Sequence, residues 1–258
     1  MVSYPQISII TVVLNDSENF LRTVNSVSQL SYKNIEYIVI DGGSTDDTLA
    51  IIDDNKELIT QSISEKDDGL YDAMNSGIDL ASGEWVIFMN AGDVFVDNEI
   101  LSEIFKDGDF ADIKIIYGDS IIDYSNFERY KPSGDIVDIE YGMQFSHQSA
   151  FIRLGYHKDY KYNINYKLCA DFNFFYNAYI QNIKFMYSEK SIAKIKSGGL
   201  SDKNREYVFW SFWRIVGFSK INLNLFYLFR IFSSLLKRVI KIFIPNSVIN
   251  KIIKKYGE

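Results

Sequence analysis

At 258 residues, with 47% hydrophobic and 16% aromatic content, the chain can bury the core of one large α/β domain with additions, which excludes a disordered or fibrous protein. Cys169 is the only cysteine, so an internal disulfide framework and a cysteine-ligated zinc site are excluded, and a reducing compartment suits it. The net charge of −7 is unevenly spread, because Arg205 to Glu258 holds ten Lys/Arg against two Glu, a tail of about +8 behind an acidic body. That tail points to an anionic membrane or an acidic protein as partner, while the body argues against nucleic acid.

Met1 to Gln6 is short, uncharged and runs directly into a strand, so no signal peptide is expected. Ile7 to Val13 reads as that strand, and Asp16 or Ser17 is placed to cap a helix whose Phe20, Val24 and Val27 recur at spacings of four and three. Ile35 to Ile40 is the second strand, followed by a helix through Leu49, Ile51 and Ile52 with Ser44 or Thr45 as its cap. Ile59 to Ser64 gives a short third strand, Tyr71 to Leu80 a helix ended near Gly83, and Trp85 to Met89 the fourth strand. Strands alternating with helices predict a mostly parallel, helix-covered sheet, whose ligands lie outside the carboxyl ends of the strands.

Beyond Asp93 the rhythm changes: a helix near Asn98 to Phe105, a strand at Ile113 to Tyr117, and an irregular aromatic stretch to about Tyr141. A helix from Asp171 to Ile180 follows, then one or two strands within Ile183 to Ile195. The tail reads as amphipathic helices at Tyr207 to Trp213 and Leu223 to Ile244. Arg230, Lys237, Arg238 and Lys241 interrupt the apolar residues there, so no run of about 18 residues is free of charge and an interfacial helix fits better than a spanning one. Packing on the body or dimerisation is a compatible alternative.

Three segments rich in acid and glycine carry the chemistry: Asp41-Gly-Gly-Ser-Thr-Asp46, Asp67-Asp68-Gly69 and Asn90-Ala-Gly-Asp93. Asp93, after an apolar strand, is a candidate ligand for Mg²⁺ or Mn²⁺, which prefer one or two carboxylates completed by substrate phosphates; a helix cap is the structural alternative. Asp41 can accept hydrogen bonds from a base or ribose, with glycines behind it that let a flat ligand approach. Ser44 and Asp46 organise the turn. Val13-Leu-Asn-Asp16 lacks a Gly-rich phosphate loop, which disfavours a dinucleotide site. His147 lies in a polar stretch with Ser146 and Gln148, and His157 reads as a surface residue. Ser197-Gly-Gly-Leu-Ser201 is a flexible lid or a plain turn.

In order and spacing, Ile9-Ile-Thr-Val-Val-Leu-Asn15, Asp41 to Asp46, Ser64-Glu-Lys-Asp-Asp-Gly-Leu-Tyr-Asp-Ala-Met-Asn75-Ser-Gly77 and Phe88-Met-Asn-Ala-Gly-Asp93 resemble the family 2 glycosyltransferases of the GT-A fold. Ser146-His-Gln-Ser-Ala-Phe-Ile152, Ala170-Asp-Phe-Asn-Phe-Phe175 and Gly198-Gly-Leu-Ser201 extend the likeness, and bacterial members building O-antigen, capsule or exopolysaccharide are the nearest in kind.

The resemblance implies a Rossmann-like GT-A domain at 1–204, nucleotide-binding over 1–95 and acceptor-binding over 96–204, with a membrane-associating or dimerising tail at 205–258. It implies a nucleotide-sugar site of Thr11, Val12, Val13, Asn15, Asp41, Gly43, Asp68, Tyr71, Asn75, Asn90, Ala91, Gly92 and His147, with Asp93 on Mn²⁺ or Mg²⁺. Asp171 matches the general base of inverting members, and an N-cap is its alternative role. Asn90 and Gly92 depart from the acids of many members, so the cation is expected to arrive chiefly as a nucleotide-sugar complex, or the site is metal-independent.

The implied reaction moves one sugar from UDP-Glc, UDP-Gal or an N-acetyl form to a polyprenyl-diphosphate-linked saccharide for O-antigen, other lipopolysaccharide or capsule. The enzyme is expected to be peripheral on the cytoplasmic face of the plasma membrane, with a homodimer left open. A processive synthase is disfavoured because no spanning segments form a channel. A non-catalytic sugar-nucleotide or membrane-binding scaffold is the alternative outside enzymes. A nucleotidyltransferase is a further one, against which the missing glycine-rich loop after the first strand counts.

Overall fold

The computed structural model describes residues 4–106, 108 and 110–243, so Met1 to Ser3 and the 244–258 part of the basic tail lie outside the described residues, as does the Lys241 side chain. In chain order, β1 (Ile7–Val13), α1 (Ser17–Ser28), β2 (Ile35–Asp41), α2 (Thr48–Asp54), β3 (Gln61–Ser64), α3 (Leu70–Leu80) and β4 (Trp85–Phe88) form the first half. The second half comprises β5 (Val94–Phe95), α4 (Ile100–Phe105), β6 (Ile115–Asp123), β7 (Glu128–Lys131), β8 (Ala150–Arg153), α5 (Leu154–Asp159), α6 (Ala170–Ile180) and β9 (Phe185–Lys196). Two 3₁₀ turns, Ile136–Tyr141 and His147–Ser149, precede β8, and α7 (Leu200–Lys203), α8 (Arg205–Val216) and α9 (Ile221–Phe243) follow β9.

The alternation of the first half produces the sheet order β3-β2-β1-β4, parallel throughout, and β8, β6, β9 and β5 extend it with β7 on the side of β6. The extension is mixed, because β8 joins both β4 and β6 antiparallel while β6 and β9 run parallel. β1 is buried along its whole length, and its side chains divide by the two-residue period of a strand. Ile7, Ile9 and Val13 pack with Phe20, Val24 and Val27 of α1 on one face, while Ile10 and Val12 meet Met74 and Ile78 of α3 on the other. Each such side chain contributes about 1.5–3 kcal/mol by leaving water.

The structure differs from the sequence reading at several points. β6 continues to Asp123 and turns back into β7, where an irregular stretch is expected from the sequence. α2 begins at Thr48, behind Asp47, because Ser44 and Thr45 are used elsewhere: the Ser44 hydroxyl accepts from the Asn15 N–H at 2.7 Å, and the Asn15 side chain accepts from Thr45 N–H at 2.8 Å. His157 is not a surface residue. Short helix α5 turns it inward among Phe88, Tyr162 and Phe174, with Nδ1 on the Tyr160 carbonyl, and burial pushes its pKa down to about 4.

The C-terminal helices divide in use along their length. Phe212 of α8 stacks on Phe172 of α6 with ring centroids 3.9 Å apart, and Leu223 and Tyr227 of α9 are buried, Tyr227 donating to the Glu140 carbonyl. Farther along α9, Leu228, Phe232, Leu236 and Val239 are exposed. No helix among the described residues is long and apolar enough to cross a membrane.

Glu36 fixes the start of β4. This buried carboxylate accepts hydrogen bonds from the Ser8 hydroxyl, the Ser82 hydroxyl at 2.7 Å and the Gly83 N–H at 2.7 Å, gripping the turn that launches the strand. Burial raises its pKa, but the bonds from Ser8, Ser82 and Gly83 outweigh burial and hold it below the usual glutamate range. Glu36→Ala is expected to lower the unfolding free energy at neutral pH by about 2–3 kcal/mol, since it strands several donors. Because the folded-state pKa is depressed, the difference from wild type is full above the ordinary glutamate pKa and narrows as pH falls through the folded one. Denaturant titrations of both proteins at neutral and acidic pH measure this.

Candidate active site

The segments singled out by acid and glycine follow the carboxyl ends of β2, β3 and β4, on the sheet edge where β1 also ends. Asn15, just past β1, adopts a left-handed backbone (φ 49°) and ties that strand end to the turn after β2 through Ser44 and Thr45. Asp41 ends β2 fully buried, its carboxylate accepting from Ser44 N–H at 3.1 Å and the Ser64 hydroxyl at 2.6 Å, so it shapes the wall joining β2 to β3. Gly42 lies where a Cβ would come within 2.6 Å of the Asp67 carboxylate, and Gly43 has φ +85°. Asp46 accepts from the Ser17 N–H at the start of α1 and from Thr48, so it organises two helix starts at once.

Other predicted residues serve the frame. The Thr11 hydroxyl is buried, donates to the Met89 carbonyl at 2.7 Å and accepts from the Tyr37 hydroxyl, locking β1 to the end of β4, while Val12 and Val13 are core residues. Asn75 exchanges two hydrogen bonds with the backbone of Tyr162. Asp68 is exposed at the mouth, its N–H held by Asp72.

Asn90-Ala-Gly-Asp93 makes the turn after β4. Gly92 has φ +96°, donates its N–H to the Thr23 hydroxyl, and leaves a Cβ only 3.2 Å from the Lys196 side chain, so an acidic side chain there meets both backbone strain and crowding. Ala91 donates to the Val12 carbonyl. Asp93 caps no helix. Its buried carboxylate accepts from the Lys196 N–H at 3.0 Å and the Gln148 amide at 3.0 Å, and burial raises its pKa to about 6 against those hydrogen bonds.

Asp171 stands in the first turn of α6, behind Cys169 at the cap position, and its side chain joins an N–H of that turn to two other elements. One oxygen accepts from the Tyr71 hydroxyl at 2.8 Å and from Phe172 N–H, and the other meets His147 Nδ1 at 3.1 Å. Burial pushes its pKa up, but the bonds from His147 and Tyr71 outweigh burial and hold the carboxyl below the usual aspartate range. His147 Nε2 lies 3.2 Å from the Asn90 side-chain nitrogen, so an Nδ1–H tautomer satisfies both contacts, donating to Asp171 and accepting from Asn90. Asn90 Oδ1 is buried without a partner among the described residues.

The 3₁₀ turn His147–Ser149 therefore holds both acids with consecutive side chains, His147 on Asp171 and Gln148 on Asp93. Gln148 and Lys196 were not singled out from the sequence. Gln148 sits within the Ser146 to Ile152 motif, beside the more conspicuous histidine, whereas Lys196 acts through its backbone and leaves no side-chain signal. Among the described residues, no group of three or more His, Cys, Asp or Glu could hold a metal ion by itself. The donor set does fit a hard cation bound largely by a ligand's oxygens: a single buried carboxylate, whose charge burial disfavours, gains from an adjacent cation.

A parallel β3-β2-β1-β4 half-sheet with a mixed extension, flanked by helices, is an architecture of the GT-A type. The family model described as "Glycosyl transferase family 2" matches residues 8–181, and the chain belongs to that family. It is 31% identical over 179 residues to a PGL/p-HBAD biosynthesis glycosyltransferase of Mycobacterium bovis, covering 66% of this chain and 68% of that one. An uncharacterized glycosyltransferase of Mycobacterium tuberculosis is 41% identical over 104 residues, 40% of each chain. Among solved structures, S. aureus TarS residues 1–349 in complex with UDP-GlcNAc superposes with a TM-score of 0.66 at 18% identity, over 88% of this chain and 73% of that one. The mannosyltransferase PcManGT of Pyrobaculum calidifontis, in complex with GDP-Man and Mn²⁺, gives 0.60 at 11% identity, over 79% and 60%. These two likenesses show the shared fold.

The His147–Asp171 contact has a direct readout. In His147→Ala the Asp171 carboxyl is expected to titrate at higher pH than in wild type, followed by ¹³C NMR of the carboxyl carbon. An unchanged titration would assign the depressed pKa to Tyr71 and Phe172 alone.

Proposed function

We propose that the protein is an inverting glycosyltransferase that moves one sugar from a nucleotide diphosphate sugar, a UDP-linked hexose or N-acetylhexosamine, onto a lipid-linked saccharide during surface-glycan synthesis. The observation that carries this reading is the pair of buried acids held by neighbouring side chains of one turn, Asp171 by His147 and Asp93 by Gln148. Inversion needs a base on one face of the sugar and charge compensation for the leaving diphosphate on the other. Asp171 takes the proton of the acceptor hydroxyl as that oxygen attacks the anomeric carbon, and the bond to the diphosphate breaks on the Asp93 side. Tyr71 and His147 keep the Asp171 carboxylate ionised and aimed.

The nucleotide lies along Thr11 to Asn15, with the base against Asp41 and Gly43 and with Asp68, Tyr71 and Asn75 flanking the nucleotide and its phosphates. Asn90, Ala91, Gly92 and His147 line the diphosphate end. Asp93 is the protein residue that would hold Mn²⁺ or Mg²⁺, and the cation would neutralise charge on the diphosphate. The names of the mycobacterial relative and the complex of TarS with UDP-GlcNAc support the donor type and the surface-glycan setting. We assign the acceptor to a polyprenyl-diphosphate saccharide at the cytoplasmic membrane face, with residues 1–204 as catalytic domain and 205–258 as the membrane-associating tail. The exposed apolar side chains of α9 support that assignment.

Hydrolysis of UDP-, GDP- and dTDP-sugars, with and without Mn²⁺, tests the donor class. Asp171→Asn is expected to bind donor as wild type does while transfer to an acceptor falls by roughly 10² to 10⁴. Near-normal turnover would return Asp171 to a structural role. Asp93→Ala is expected to weaken donor and Mn²⁺ binding together in calorimetric titrations, and unchanged donor affinity in the presence of Mn²⁺ would remove it from the diphosphate site.

A further inference from the structure

Helices α8 and α9 lie side by side, and between them runs a cleft of about 400 Å³ that the catalytic reading does not use. Its wall carries Lys203, Arg205, Arg230, Lys237 and Arg238 against Asp202 and Glu206, a local excess of positive charge on a chain whose net charge is −7. Arg238 is loosely engaged, 3.9 Å from Glu206, while Arg205 pairs with Asp202 at 3.6 Å. Lys203, Arg230 and Lys237 have no carboxylate partner among the described residues. Arg230 is nevertheless held, its guanidinium stacked 4.5 Å from the Phe209 ring centroid and 5.8 Å from that of Phe226. Cation–π contacts fix its direction while leaving its N–H groups unspent on a carboxylate.

Beside this cleft α9 presents an unpartnered stripe. Leu225, Leu228, Phe232, Leu236 and Val239 recur at spacings of three and four and are 49–65% exposed. Phe229 belongs to this exposed band and also lines the cleft, so apolar surface and cationic pocket meet at one side chain. A ligand matching both has a phosphate at one end and acyl chains at the other.

We propose that the α8–α9 cleft binds the phosphate headgroup of an anionic membrane phospholipid, with the α9 stripe resting in the acyl boundary. This rests on the reading of the tail as membrane-associating and goes beyond it by assigning a discrete headgroup site. Charge complementarity favours that occupant: an acidic protein is repelled by an anionic bilayer except where it presents a basic island, and each Lys or Arg near such a surface strengthens binding by about fivefold.

The test is flotation of the full chain with equimolar phosphatidylglycerol–phosphatidylcholine vesicles and with pure phosphatidylcholine vesicles at one ionic strength. Lys203→Gln/Lys237→Gln is expected to lower partition onto the anionic vesicles by about 25-fold, from about fivefold per charge. Arg214→Gln/Lys220→Gln removes the same charge outside the cleft and is expected to cost less than about threefold for a discrete site. Equal losses in the two doubles, or no loss in either, would overturn the site. Leu225→Gln/Phe232→Gln tests the membrane reading separately and is expected to weaken binding to both vesicle types. No binding by wild type, or full binding by this variant, would sink the membrane reading and the site with it. Displacement by inorganic pyrophosphate at a concentration where orthophosphate is inert would overturn the phospholipid assignment in favour of a lipid-linked diphosphate. Thermal unfolding midpoints matching wild type verify that each variant is folded.

Discussion

The candidate site depends on one short turn. His147 and Gln148 are adjacent in sequence, yet their side chains reach acids delivered by different elements, Asp171 from α6 and Asp93 from the turn after β4. Ser149 completes the turn by bonding its hydroxyl to that of Ser120 in β6, which fixes it to the sheet. An ionised carboxylate removed from water without partners costs several kcal/mol, and a hydrogen bond to a charged group returns about 1.5–3 kcal/mol. Each acid is thus tolerated in the interior through one donor from this turn together with donors from elsewhere, Tyr71 and Phe172 for Asp171 and Lys196 for Asp93. A shift of that turn would disturb both acids together.

The same geometry explains how the chain accommodates its departure from the acid-rich family pattern. Gly92 is demanded by a left-handed backbone pressed between Thr23 and Lys196, so an acid there is disfavoured on steric grounds. Asn90, as an amide, can donate to His147 Nε2, whereas a carboxylate in its place could only accept.

Much of this was legible from residue order, and the rest was hidden for identifiable reasons. The mainly apolar runs Ile7–Val13 and Trp85–Phe88 and the helix period of Phe20, Val24 and Val27 mark the parallel half, because burial on both faces leaves little polar patterning in a strand. The turns at Asp41 and Asp93 were visible because acid and glycine follow strands. The β6–β7 hairpin was missed because Asp119 interrupts its apolar pattern. That aspartate is buried in the sheet, where Ser133 N–H and the hydroxyls of Tyr130 and Tyr187 satisfy it, and only the fold reveals those partners. His157 misleads in the opposite sense, since Lys158 beside it does face outward while the imidazole enters an aromatic cage. The meeting of Tyr71 with Asp171 spans a hundred residues and has no local signature.

The stacking of Phe212 on Phe172 gives the tail a second meaning. Phe172 follows Asp171, Cys169 lies within 3.9 Å of the Val208 carbonyl, and Tyr227 is anchored to Glu140, so α8 and the first turns of α9 form the back wall of the helix that presents the acid. The boundary at residue 204 divides composition and charge, yet it does not divide the core. A truncation there would strip packed side chains from behind Asp171 as well as remove the basic tail. Any change of behaviour in such a shortened protein would report a collapsed wall behind Asp171 as readily as the loss of the tail's own surface.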